Sequence, residues 1–232
     1  MTGQAPPDGL LGLLSRPAPE AAPRLLGALF GHRAADGLVV VRITEVEAYG
    51  GPAGSDLPDP GAHTYRGRTP RNAAMFGPPG HVYVYFTYGM HHAVNLVCRP
   101  EGTAGGCLLR AGAVVEGPGP ARARRAAGRA TAVPDAALAR GPGNLAKAMG
   151  IDRTADGAPL VLPAAEEPAP AAPGLFLRPA ASAPAAVASG PRTGVSGPGG
   201  SPEFPWRWWL PGEPSVSPYR AAVPRRRRPP DG

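Results

Sequence analysis

HVYVYFTYGMHHAVN, residues 81–95, places three tyrosines and a phenylalanine within six positions of a chain that is only 6% aromatic. The alternation has period two, which predicts a strand. His81, Tyr83, Tyr85 and Thr87 point one way, and Val82, Val84 and Phe86 point the other. The Val/Phe side reads as the core face. Tyr83 and Tyr85 are thereby left on a second face that also needs an apolar or π-rich neighbour. Tyr88-Gly89-Met90 interrupts the alternation with a residue suited to a turn, and His92, Val94 and Leu96 resume it on a returning strand. A tyrosine therefore sits at the tip of a hairpin. Taken alone, these residues leave a plainly structural hairpin and a functional one both open.

The flanking sequence extends this into a fold. Residues 20–30 predict a helix with Ala21, Leu25, Ala28 and Leu29 as its apolar stripe, and GLVVVRITEVEAYG (37–50) is the clearest strand. Residues 51–72 form a long polar loop, of the kind that is usually functional or disordered. GGCLLRAGAVVEG (105–117) is another strand, and residues 118–140 hold short Arg-rich helical segments around Arg122, Arg124, Arg125 and Arg129. GPGNLAKAMGI (141–151) is a helix with Pro142 at its start and Gly150 at its end. Residues 163–191 are Ala/Pro-rich, with a short strand at 174–178, and residues 205–220 carry all three tryptophans and pack back on the body. The sum is one α+β domain over residues 10–220, a curved and mainly antiparallel sheet with peripheral helices and a protruding β-hairpin. A disordered N-terminus (1–9) and a basic disordered tail (221–232) flank it.

Composition narrows the chemistry. The chain has 33 Gly and 33 Pro in 232 residues, which approaches low complexity, but its hydrophobic content is 43% and concentrates in residues 38–115. Net charge is +7, and Arg225–Arg228 supply four of those charges, a weak pointer to a polyanionic partner. Cys98 and Cys107 read as buried free thiols. No metal-ligand spacing is present, because His91 and His92 are adjacent and no Cys or acidic cluster joins them. The absence of a signal peptide and of an apolar run of membrane length points to the cytoplasm and away from a membrane partner.

Glu45 and Glu47 lie two apart on an otherwise apolar strand, so both carboxylates emerge on one face with Tyr49. A solvent-facing edge, or a salt bridge to an arginine, is the simpler explanation. The loop that follows carries His63, however, and with Tyr83 and Tyr85 these residues can line one pocket, π-rich on two walls with a negative floor. Such a pocket suits a flat, electron-poor or cationic heteroaromatic ring, with a carboxylate placed to activate water. Tyr88 at the hairpin tip would be a wedge for the space left by an extruded nucleotide.

EVEAY (45–49), the run from His63 to Asn95, LLRAG (108–112), RGPGNLAKAMGI (140–151) and WLPGEPSVSPYR (209–220) strongly resemble the alkyladenine, or 3-methyladenine, DNA glycosylases of the mammalian type, which also occur in bacteria. The likeness spans about residues 25–220. It implies a fold like the C-terminal domain of formyltransferases and a monofunctional, monomeric base-excision enzyme without metal or cofactor. Its partner would be double-stranded DNA containing damaged purines, in the bacterial cytoplasm at the nucleoid. By motif, Glu47 would be the general base, with Arg110 holding the water and the glutamate. Tyr49, His63 and Tyr85 would sandwich the base. Asn95 would contact its edge and disfavour the amino group of guanine. Tyr88, with Met90, would enter the minor groove. Arg68 and Arg71, beside the pocket loop, read as phosphate contacts or as solvated loop charges, and Lys147 is a weaker candidate for contact with DNA. Tyr83 has no role by the resemblance and reads as packing.

The stretch GGPAGSDLPDPGA (50–62) is several residues longer than the family's spacing, which predicts a displaced or mobile His63. A cationic methylated purine leaves readily, whereas hypoxanthine needs protonation by an acid the sequence does not identify. With no lysine near the site, a Schiff base is disfavoured. The competing reading is a non-catalytic nucleic-acid-binding module, or a pseudo-enzyme with the same fold, and Glu47 separates them.

Overall fold

Residues 9–87, 91–128 and 130–222 are described by the structure, a computed structural model. Tyr88, Met90, Arg129 and Arg225–Arg228 lie outside the described residues. Two short helices, α1 (Gly9–Leu14) and α2 (Ala18–Ala21), lead into the hairpin of β1 (Leu29–Ala34) and β2 (Gly37–Tyr49). After a long loop come β3 (Val82–Thr87), β4 (His91–Val97), β5 (Gly106–Glu116), α3 (Pro118–Ala126), β6 (Ala139–Arg140) and α4 (Pro142–Met149). The chain closes with β7 (Leu160–Val161), β8 (Gly174–Arg178), β9 (Ala188–Gly190) and β10 (Arg207–Trp209).

The thirteen residues of β2 are the spine of a curled sheet of order β3-β4-β5-β2-β1-β8-β7, in which every pair is antiparallel except β7 with β8. One edge of β2 pairs with β5. The other is divided, with β1 along Gly37–Arg42 and β10 along Glu45–Glu47. The expected α+β architecture, with a mainly antiparallel sheet and few helices, is the one observed.

Alternation sorts the side chains of the central strands onto two buried faces. Val46 and Ala48 of β2, Val82 and Val84 of β3, Val94 and Leu96 of β4, and Cys107 and Leu109 of β5 enter the main core. There they meet Leu145, Ala146, Ala148 and Met149 of α4. Each such Val or Leu contributes about 1.5–3 kcal/mol relative to exposure. On the opposite face a smaller cluster gathers Met75, Tyr83 and Val97, with Tyr49 and Tyr85 against it. Cys98 and Cys107 are buried free thiols whose Sγ atoms lie 3.4 Å apart.

Two local expectations are corrected. The helix over residues 20–30 does not form: α2 stops at Ala21, a 3₁₀ turn takes Ala22–Leu25, and Leu29 and Phe30 already belong to β1. Pro23 has no amide with which to continue the helix, and Gly27 turns the chain at φ +85°. Phe86 is not a core residue. It is 43% exposed, because the hairpin has by then run past the core, and its ring rests on His92 at 5.1 Å.

The outer edge of β3 is closed without another strand. Val82 exchanges backbone hydrogen bonds with Gly157 and Ala158, Val84 N donates to Asp156, Arg153 donates to Val84 O at 2.5 Å, and Arg71 donates to Phe86 O at 3.2 Å. These bonds remove the exposed template that an open edge offers to other chains.

Where β2 gives way to the loop, Gly50 passes close under the loop backbone: a Cβ there would lie 2.6 Å from Leu57 O. Gly50→Ala is therefore expected to lower stability by about 1–3 kcal/mol, read as a reduced midpoint in urea unfolding.

Candidate active site

Cross-strand register lays one line of residues over four strands. Tyr83 pairs with Asn95, Asn95 with Leu108, and Leu108 with Glu47. Directly opposed residues share a face, and this line lies on the face away from the main core. Two steps further along β3 and β2, Tyr85 and Tyr49 extend it. The ladder between β2 and β5 slips at this point: Glu45 pairs with Ala111 and Val46 with Leu109, so Arg110 is the unpaired residue of a bulge. The bulge aims its guanidinium at the two glutamates.

The floor so formed lies under a cavity of about 340 Å³ lined by Tyr49, His63, Tyr85, Asn95 and Arg110, with residues 193–196 as a further wall. That volume is at the small end of ligand sites. His63 meets Tyr85 edge-on, with ring centres 4.6 Å apart, and its Nδ1 lies 3.3 Å from the Tyr83 hydroxyl. Tyr83 stacks on Tyr85 at 5.6 Å. These three rings form one wall. Tyr49 packs against the same small cluster, with the Arg192 guanidinium over its ring at 4.6 Å. The outer side of His63 is exposed, while the protein packed around the remainder lowers its pKa and the Arg71 charge acts in the same direction, favouring a neutral ring. Asn95 donates to Tyr83 O at 3.3 Å.

Glu47 is fully buried one layer behind the wall. The Tyr49 hydroxyl donates to its Oε2 at 2.8 Å, Thr193 N donates to its Oε1 at 2.6 Å, and Arg110 Nη1 lies 3.4 Å from that Oε1. Burial, and then the Glu47 charge, push the Tyr49 phenol well above its ordinary pKa, so the hydroxyl remains a donor. Glu45 is equally buried. Its Oε1 accepts from Arg110 Nε at 2.9 Å and Arg207 Nε at 2.7 Å, and its Oε2 accepts from Ser217 N at 2.7 Å. Burial alone would raise the Glu45 pKa, but Arg110, Ser217 and Arg207 overcome it and hold it below the ordinary value. Asp59 completes the set. It accepts from Gly50 N and Gly61 N, and its two oxygens pair with Arg192 at 2.6 and 2.7 Å.

Of the residues singled out from the sequence, Tyr49, His63, Tyr85, Asn95 and Arg110 line the cavity, and Glu47 lies behind it, bonded to Tyr49. In the longer loop, Asp59 pairs with Arg192, which also donates to Ala48 O of β2, and His63 follows against Tyr83 and Tyr85. Of the remaining candidates, Arg68 is exposed, Arg71 braces β3, and Lys147 donates to Ala127 O at 2.9 Å beside His91 and His92. The sequence reading missed Asp59, Arg192, Thr193, Arg207 and Ser217. The available signals were an aspartate held between Pro58 and Pro60, and arginines in otherwise uncharged stretches.

A family-wide sequence profile described as methylpurine-DNA glycosylase matches residues 12–214. The chain belongs to that family. The glycosylase is 51% identical over 214 residues to a Streptomyces avermitilis protein named "Putative 3-methyladenine DNA glycosylase", covering 92% of each chain. Proteins of the same name from Leifsonia xyli subsp. xyli and Nocardia farcinica are 53% and 51% identical, covering 87% of each chain. The family is one of DNA-repair hydrolases that act on N-glycosyl bonds. Among the described residues of the glycosylase, no group of three or more His, Cys, Asp or Glu is arranged to hold a metal ion. No helix there is long and apolar enough to cross a membrane.

Removing one partner of a buried pair leaves an uncompensated charge. Arg192→Met in the glycosylase is expected to cost about 3–5 kcal/mol in chemical unfolding, with the D59N/R192M double variant costing less than the sum of the single ones. The depressed pKa of Glu45 contributes stability that is present above the ordinary value of 4.5 and lost as pH falls through the lower folded value. Glu45→Gln is expected to flatten that acid limb, measured as urea midpoint against pH.

Proposed function

We propose that this chain is a monofunctional, monomeric DNA glycosylase that turns alkylated or deaminated purines out of duplex DNA and hydrolyses the N-glycosidic bond with a water activated by Glu47. The observation that carries the reading is the Glu47 carboxylate, fully buried and hydrogen-bonded to the hydroxyl of a cavity-wall tyrosine, behind a slot lined by Tyr49, His63 and Tyr85. A flat base in that slot gains stacking, and a cationic base gains more from the π-faces and the carboxylate. Asn95 stands at the edge of the slot, where its amide discriminates between base edges.

Each carboxylate oxygen of Glu47 retains acceptor capacity beyond the bonds from Tyr49 and Thr193, so a water at the junction with Arg110 can donate to it. The water oxygen attacks C1′ of the sugar, its proton passes to Glu47, and the bond to the base nitrogen breaks with both electrons leaving on the base. For a 3- or 7-methylated purine the departing base is neutral, so no acid is required. The carboxylate charge also stabilises the oxocarbenium-like sugar. Extrusion costs a few kcal/mol, roughly, and least at damaged or mismatched pairs, which makes it the first selective step.

On the DNA side, Tyr88 and Met90 act as the minor-groove wedge, and Arg68, Arg71 and Lys147 contact phosphates. With bacterial relatives, the enzyme works in the cytoplasm at the nucleoid.

The test is incubation with duplexes carrying one 7-methylguanine, hypoxanthine or ethenoadenine, followed by detection of abasic sites. Glu47→Gln is expected still to bind the same duplexes and to lose about 10²–10⁴-fold in single-turnover excision. Wild-type protein that binds lesion duplexes and releases no base would point to a binding module instead.

A further inference from the structure

The buried carboxylate that the proposed reaction leaves unused is Glu45, and its bonds point to a task. It accepts from Arg110 Nε at 2.9 Å, while Arg110 Nη1 lies 3.4 Å from Glu47, outside close hydrogen-bond range for a charged pair. One guanidinium is thus divided between two carboxylates, and Glu45 has the better geometry. Glu45 is itself fixed from three sides: by Arg207 Nε at 2.7 Å, by Ser217 N at 2.7 Å, and by the bulge that opposes it to β5. Arg207 is held by stacking on Trp209 at 4.4 Å and by its bond to Ser217 O at 3.1 Å. The Ser217 hydroxyl also accepts from Arg110 Nη2 at 3.2 Å.

We infer that Glu45 is a positioning residue that draws Arg110 away from Glu47 and so leaves the Glu47 carboxylate open to take a proton from water. This rests on the reading of Glu47 as the general base. The charged and titratable groups around Glu47 are Arg110 of β5, Tyr49 and Glu45 of its own strand, Arg207 of β10, and Arg192 of the segment before Thr193. Arg192 is matched by Asp59 and acts on Glu47 alike in the wild type and in Glu45 variants, so a change at Glu45 is felt at Glu47 through Arg110 and Arg207. Neutralising Glu45 leaves two cations against one carboxylate and frees Arg110 to close on Glu47. Both changes stabilise the anion, weaken the base and occupy the edge at which water would be activated.

The experiment compares pH–rate profiles for single-turnover excision of 7-methylguanine from a duplex, with duplex affinity measured separately. Glu45→Gln is expected to lower the maximal rate at least tenfold and to move the acid limb to lower pH by about one unit, with affinity unchanged. Glu45→Asp, which keeps the charge, is expected to return the limb toward its wild-type position. A limb that stays in place in Glu45→Gln overturns the inference, whatever the rate, because a merely structural loss scales the profile without displacing it. If Glu45→Gln does not fold, Ser217→Ala is read instead, since it removes one restraint on Arg110 and keeps every charge. A smaller displacement in the same direction supports the inference, and none overturns it. Failure of the underlying reading looks different: Glu47→Gln would then excise at the wild-type rate.

Discussion

Six charged side chains are buried along one side of β2, and they cancel. Glu45, Glu47 and Asp59 face Arg110, Arg192 and Arg207, each no more than 6% exposed. An unmatched ion in that position would cost several kcal/mol, roughly, so the acids and the arginines can only be buried together. This constraint organises the rest of the molecule. It requires the loop after β2 to fold back so that Asp59 meets Arg192, β5 to bulge so that Arg110 reaches the glutamates, and the end of the chain to return so that Arg207 and Ser217 close the array. The cavity is bounded by the segments that this neutrality draws together.

The aromatic wall depends on the same array. Tyr49 is fixed through its hydroxyl by Glu47 and through its ring by Arg192, which stands on Asp59. Tyr83 and Tyr85 follow from alternation along β3, and His63 is docked on them. The cavity is therefore lined by residues that strand geometry and buried charge both hold in place. A site fixed in this way is pre-organised, and a ligand entering it does not have to order these residues.

How much of this the sequence revealed depended on distance along the chain. Period-two alternation put Tyr83 and Tyr85 on one face of β3 and Glu45, Glu47 and Tyr49 on one face of β2, and both placements hold because a strand leaves no other choice. Phe86 failed the same rule, since alternation assigns a face but does not say where the core ends. The 20–30 helix does not form because Pro23 and Gly27 interrupt it in spite of its apolar stripe. The bonds from Arg192 to Asp59 and from Ser217 to Glu45 join residues 133 and 172 positions apart, and no local pattern records such pairings. The motif resemblance marked WLPGEPSVSPYR as belonging to the family, but only the structure connects its serine amide to a buried carboxylate.

That last connection bears on how the protein is made. Synthesis proceeds from the N-terminus, and the sheet strands β1 to β5, with both glutamates and Arg110, emerge from the ribosome well before Arg192, Arg207 and Ser217. Until those residues arrive, the two acids have one cation between them and the Asp59 loop has no anchor, so the slot cannot close. The cavity is therefore completed, and its buried charges matched, only by residues that are translated late: 193–196 in the wall, and Arg192, Arg207 and Ser217 around the acids.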